Sequence, residues 1–223
     1  LRADAALRGN RRRPGGAAIA FWLILAATAG QLAVAVAFPD LDQFAGKAFV
    51  ARLVAYPLMM LLVPVAWWVK NRWRAAAAPW PAFAWLALPF LVDVTGNTVD
   101  FYDRIDWWDD ANHFVNWFLL CLGAGLLVAR SLPAPRWALW LTTTGLGALL
   151  AIGWEVGEYY AFIRNGTELD TAYTDTLGDL ALGTLGGTLG AVAVVAWTTR
   201  AAPRPADGTG PMDPVRVPLA GAG

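Results

Sequence analysis

Cysteine and histidine each occur once in this chain of 223 residues, and only 15% of the residues are charged. A single cysteine, Cys121, cannot close an intrachain disulfide, so no covalent staple of that kind holds the fold. Scarce charge set against 57% hydrophobic residues excludes an ordinary soluble domain. Basic residues are too few and too scattered for a nucleic-acid surface, which removes that partner class. What fills the chain instead is hydrophobic runs. Six of them, at 17–38, 48–69, 78–98, 112–129, 137–160 and 176–198, are long enough to cross a bilayer, for which about 20 apolar residues suffice. They leave no room for a separate soluble domain.

The expected fold class is therefore all-α, a polytopic bundle of six transmembrane helices over residues 17–199. A basic cytoplasmic tail, 1–16, precedes it, and a disordered cytoplasmic tail rich in Pro, Gly and Ala, 200–223, follows it. The sparse charges set the orientation. Arg2, Arg8, Arg11, Arg12 and Arg13 precede the first run, and Lys70, Arg72 and Arg74 lie between the second and third. Arg130 and Arg136 separate the fourth and fifth, and Arg200 and Arg204 follow the sixth. The alternate loops are acidic, with Asp40 and Asp42, then Asp100 to Asp110, then Glu168 and Asp170. The positive-inside rule then places both termini in the cytoplasm. The first run resembles a signal peptide in its arginine-rich start, but it exceeds a typical cleaved segment in length and reads as an uncleaved anchor.

Tryptophans are expected to mark the two interfaces. Trp67, Trp68, Trp73, Trp80, Trp137 and Trp140 would belt the cytoplasmic side; Trp107 and Trp108, with Trp117 as a third candidate, would belt the outer side. Gly178, Gly183, Gly186, Gly187 and Gly190 in the last run would let helix backbones approach closely.

An ionised group at the centre of a spanning helix costs roughly 2.5–3.5 kcal/mol, so carboxylates inside these runs call for a reason. On a helix, positions i, i+4 and i+7 share a narrow arc. Asp93, Asn97 and Asp100 have that spacing, and Asp109, His113 and Asn116 repeat it. Glu155 and Glu158 stand one turn apart with Tyr159 beside them. Asp175 and Asp179 form the fourth stripe, continued by Gly183 and Gly186. All four lie at one end of the bundle, where polar stripes are stable only if they converge. Capping accounts equally well for Asp109, Asp110 and Asp175, and Asp103 and Asp106 read as solvated loop residues. The deeper Asp93, Glu155, Glu158 and Asp179 cannot be caps. His113 fits both a ligand and a hydrogen-bonded structural residue.

Carboxylates gathered in a confined site raise one another's pKa unless something neutralises them. Three neutralisers are open: a divalent metal on carboxylate oxygens and one imidazole, shared protons, or arginines such as Arg52 and Arg104. A metal so bound suits Mg, Mn, Zn or iron. On that reading Asp109, His113 and Asp175 would be metal ligands and Glu155, Glu158 and Asp179 catalytic groups. Asp93, Asn97, Asn116 and Tyr159 would support them from behind.

The runs Asp109-Asp110-Ala111-Asn112-His113-Phe114, Trp154-Glu155-Val156-Gly157-Glu158-Tyr159 and Tyr173-Thr174-Asp175-Thr176-Leu177-Gly178-Asp179 resemble the YjdF-type family of bacterial inner-membrane proteins. Their layout is also similar to VanZ-like proteins, although Glu158 stands where that pattern often has an amide. The resemblance implies a small multi-pass protein of the bacterial plasma (inner) membrane with a role in the cell envelope, and it brings no settled reaction.

The expected function is thus a membrane protein with an outward-facing carboxylate and histidine site for a divalent cation, acting on a lipid-linked or envelope substrate. As an enzyme it would be a metal-assisted hydrolase or transferase. Two alternatives stand beside it: a proton- or ion-coupled transporter, and a non-catalytic envelope assembly factor. The sequence alone leaves substrate and oligomeric state open.

Overall fold

The computed structural model describes residues 15–72, 78–132, 134–161, 163–165 and 167–201. Most of the two tails, together with Trp73 and Arg74, lies outside the described residues. Among the described residues the fold is all helix: α1 Gly16–Ala37, α2 Phe49–Asn71, α3 Trp80–Thr98, the short α4 Phe101–Arg104, α5 Trp108–Ser131, α6 Arg136–Ala161 and α7 Ala172–Ala201. Two 3-10 turns, Ile163–Asn165 and Thr167–Asp170, connect α6 to α7.

Five of these helices, α1, α2, α5, α6 and α7, are long and apolar enough to cross a membrane. The sixth, α3, has 19 residues, and its apolar run is broken by Asp93 and Asn97. Pro57 and Pro64 lie inside α2, and Pro89 inside α3. Such prolines are tolerated in bundles of this kind because neighbouring helices re-satisfy the freed backbone groups.

Helix α5 is central, packing on α3, α6 and α7, while α1 packs on α2 and α3. Phe21, Met60, Phe83 and Ala87 close the α1–α2–α3 side. Leu122, Leu139 and Val194 close the α5–α6–α7 side. Small residues fix the second contact. A methyl group added at Gly186 would collide with the Phe114 carbonyl, and one at Gly187 would press on Cys121 Sγ. Close backbone approach of this kind substitutes for hydrophobic drive where the surroundings are already apolar. Gly178 is different, since a methyl group there would meet nothing within 4 Å.

Several side chains sit elsewhere than their sequence pattern suggests. Trp117 is buried, not in an outer belt, because Gly183 leaves room for its indole. Trp80 and Trp67 pack against the Phe21–Phe83 cluster. Trp68, Trp107, Trp137 and Trp140 are exposed, as interfacial anchors should be. Asp100 departs from the Asp93–Asn97 stripe: α3 ends at Thr98, and Asp100 adopts a left-handed φ of 63° that turns the chain into α4. Its carboxylate pairs at 2.6 Å with Arg104, which is spent there and not on the deeper acids. Asp103 is paired as well, at 2.6 Å from Lys47.

Candidate functional site

Two polar groups lie side by side at the end of the bundle where α3 ends and α5 begins. The first is a hydrogen-bonded network around Asp93, whose outlying Asn116 Oδ1 has no partner. Arg52 Nη1 (3.3 Å) and Tyr56 Oη (2.7 Å), one turn apart on α2, both donate to Asp93 Oδ2. Tyr102 Oη on α4 donates to Asp93 Oδ1 at 2.7 Å. Tyr102 in turn accepts from Asn112 Nδ2, and Asn112 Oδ1 accepts from Asn116 Nδ2 at 2.9 Å. Asn97 turns back onto its own helix, donating to the Asp93 carbonyl at 3.1 Å. Burial first, and the charge of Asp93 second, push the Tyr102 phenol up from its ordinary value, so it remains a donor. This network ties α2, α3, α4 and α5 together, and every oxygen of Asp93 has a donor.

The second group is built on His113, and its members stand further apart. His113 Nε2 lies 3.6 Å from Asp179 Oδ1 on α7 and 3.7 Å from Asp109 Oδ1 one turn earlier on α5. His113 Nδ1 lies 3.7 Å from Glu155 Oε1 on α6. These separations exceed the 2.7–3.2 Å of a true N–H···O bond. His113, Glu155 and Asp179 are nonetheless buried, at 8%, 5% and 3% exposure. Buried His113 Nδ1 and Glu155 Oε1 have no hydrogen-bond partner. Buried orphans of this kind are costly unless something relieves them.

Local sequence explains why these groups meet. Asp179, Gly183 and Gly186 share one face of α7, and the two glycines admit Trp117 and the Phe114 backbone of α5. That close approach brings His113, the residue before Phe114, up to Asp179. Asp109 and Asp110 lie in the first turn of α5, whose cap is Trp107 with no side-chain bond. They are helical residues at a positive helix end and not N-caps. Asp175 likewise falls inside α7, which starts at Ala172.

Ligand atoms of Asp109, His113 and Asp179 all lie within 4.8 Å of one another, and the same holds for His113, Glu155 and Glu158. Asp179 stands beside Asp109 and His113 in the first of these groups. Asp175 is exposed one turn earlier, outside both groups. Tyr159 lies on the exposed face of α6, its ring edge-to-face with Tyr160 at 5.4 Å. Asn97, Asn116 and Asp93 belong to the first network. Three of that network's members, Tyr56, Tyr102 and Asn112, escaped sequence reasoning. The i, i+4 pairs Arg52–Tyr56 and Asn112–Asn116 were the signal that could have found them.

Residues 17–200 match the model of a family described as "Predicted membrane protein (DUF2238)". The chain belongs to this family. It is the family of the YjdF-type resemblance noted from the sequence motifs. Membership and the five apolar helices together describe a multi-pass membrane protein, consistent with a bacterial inner membrane. Neither a curated protein nor a solved structure matches the chain.

Proposed function

We propose that the chain is a six-span membrane protein with both termini cytoplasmic, in which Asp109, His113 Nε2 and Asp179 hold a divalent cation near the outer face. The centre would act on a lipid-linked or envelope substrate by metal-assisted hydrolysis or group transfer. One observation carries this reading: both carboxylate oxygens of Asp93 accept hydrogen bonds, whereas the buried His113 Nδ1 and Glu155 Oε1 have no partner. Three donors to Asp93 account for its charge, whereas His113 stands 3.6–3.7 Å from Asp109, Glu155 and Asp179, and of these groups His113 Nδ1 and Glu155 Oε1 are orphaned. Ligands held about 2.0–2.2 Å from one ion stand roughly 3–3.5 Å apart, so a small contraction would bring Asp109, His113 and Asp179 onto a common cation. Mixed nitrogen and carboxylate donors suit Zn, Mn, Mg or iron.

Depth supports a membrane-borne substrate. Asp179 lies seven residues after Ala172, or about 10 Å below the start of α7 at roughly 1.5 Å per residue. With 30 residues, α7 is about 45 Å long and exceeds a hydrocarbon core of about 30 Å. The group then sits near the boundary between headgroups and acyl chains. A divalent cation there would supply Lewis-acid polarisation of a phosphoryl or carbonyl oxygen. Three protein ligands leave coordination positions open, as catalytic sites do. Glu158, less buried than Glu155 and on the same side of His113, is placed to move a proton.

Elemental analysis of the purified protein tests the reading. The expected result is about one divalent cation per chain, lost in His113→Ala and in Asp179→Asn. Folded wild-type protein that takes up neither zinc nor manganese after loading would end it. The transporter alternative draws some support from the unpartnered hydroxyls of Thr143 and Thr144 on α6. Gly147 and Ala151, between those threonines and Glu155, offer no polar side chain to continue a path.

A further inference from the structure

The two nitrogens of His113 face two different settings. Nε2 is bracketed by carboxylates from two helices, Asp109 and Asp179, and that side opens outward because the Asp109 side chain is 46% exposed. Nδ1 faces Glu155 at 3.7 Å, in a closed space where the two side chains are 9% and 6% exposed. A neutral imidazole carries one lone pair and one N–H. Whichever nitrogen ligates a cation, the other must present a proton to an acceptor. A carboxylate is the usual acceptor for a metal-bound histidine, fixing the ring's tautomer and orientation.

We infer that Glu155 is the positioning residue of the site: it accepts the Nδ1 proton of His113 and thereby holds the Nε2 lone pair toward Asp109 and Asp179. This assignment rests on the cation reading above. The Nδ1–Oε1 separation of 3.7 Å has to shorten by about 0.8 Å to become a hydrogen bond. Neither atom has a competing partner to give up. Glu155 is therefore no direct ligand, although its oxygen lies close enough to be mistaken for one.

The rival arrangement is a second cation on Nδ1, held with Glu155 and Glu158, whose ligand atoms also cluster within 4.8 Å. It would require the imidazole to surrender its remaining ring proton and bridge two ions. Cobalt(II) titration of detergent-solubilised protein separates the two, with affinity read by chelator competition and geometry by the visible cobalt spectrum. Wild type should bind one ion. Glu155→Ala should still bind one, about 10–100-fold more weakly and with a shifted spectrum, as loss of such a partner does elsewhere. Glu155→Gln, whose amide oxygen can still accept, should recover most of the affinity and the wild-type spectrum. Unchanged helicity and elution of both variants separate this from a folding defect. Two ions on wild type falling to one in Glu155→Ala would overturn the assignment and leave the cation reading standing, as would wild-type affinity in Glu155→Ala. No cobalt on folded wild type would instead remove the cation reading, and this assignment with it.

Discussion

Asp93 and Glu155 are both carboxylates within helices of one bundle, yet their surroundings give them opposite tasks. Asp93 is the hub of a hydrogen-bonded network, and its ion pair with Arg52 is mostly buried, at 14% and 15% side-chain exposure. Removing one member of a buried pair strands the other charge, at a cost of about 3–5 kcal/mol. Asp93→Ala should therefore lower stability by about that amount, measured by denaturant unfolding in mixed micelles. The double variant Arg52→Met with Asp93→Leu should lose less than the single one, because no charge is left unpaired. Tyr102→Phe removes one donor from a carboxylate that keeps two others but also strands the buried Asn112 Nδ2, and should cost about 1–3 kcal/mol. None of the three should change the number of cations bound. A substitution at Asp93 that abolished binding while the fold persisted would join the two polar groups into one functional unit.

At the scale of elements, the site is made by how closely α5 and α7 approach. Gly186 faces the Phe114 carbonyl, with no space for a methyl group. Gly186→Ala should push the helices apart at a cost of about 1–3 kcal/mol, and weaken cation binding by moving His113 away from Asp179. Gly178→Ala, on the same helix but with nothing within 4 Å, should be neutral or slightly stabilising. Equal behaviour of the two variants in melting and binding assays would mean that the helix contact does not set the site. The helices themselves were legible in the chain, because a run of about 20 apolar residues has few other fates. Their starts were less so. Helix α5 begins at Trp108, four residues before its apolar run, since Asp109 and Asp110 suit a first helical turn as well as a loop. The stripes of polar residues were legible from helical spacing, as was their gathering at one end. Which stripe meets which was not. Arg52 reaching Asp93 and Tyr102 reaching Asn112 are contacts between helices, and spacing within one helix carries no information about the neighbour it faces. Asp100 fell off its stripe for a related reason: a helix end two residues earlier rotates everything after it.

For the whole molecule the topology turns on α3, among the described residues the one long helix whose composition falls short of a membrane span. Its 19 residues extend about 28 Å, close to the thickness of the hydrocarbon core. The residues that make it polar are answered from within the bundle: Asp93 by Arg52, Tyr56 and Tyr102, and Asn97 by the backbone of its own helix. A helix packed between α1 on one side and α5 on the other exposes little of its surface to lipid, so it need not be apolar all round. Spanning by α3 also keeps every acidic loop on one side and every basic loop on the other. Single cysteines placed at Asp42, Asn71, Asp106, Ser131 and Asp170 in a Cys121→Ala background test this with a membrane-impermeant maleimide on intact cells. Six spans give labelling at positions 42, 106 and 170, with 71 and 131 reacting only after lysis. Were α3 to stay on one face, the pattern beyond it would invert: 131 would label in intact cells, and 106 and 170 only after lysis. That inversion would carry the His113 group to the cytoplasmic side and with it the choice of substrate, since a lipid headgroup of the inner leaflet would then be the one within reach.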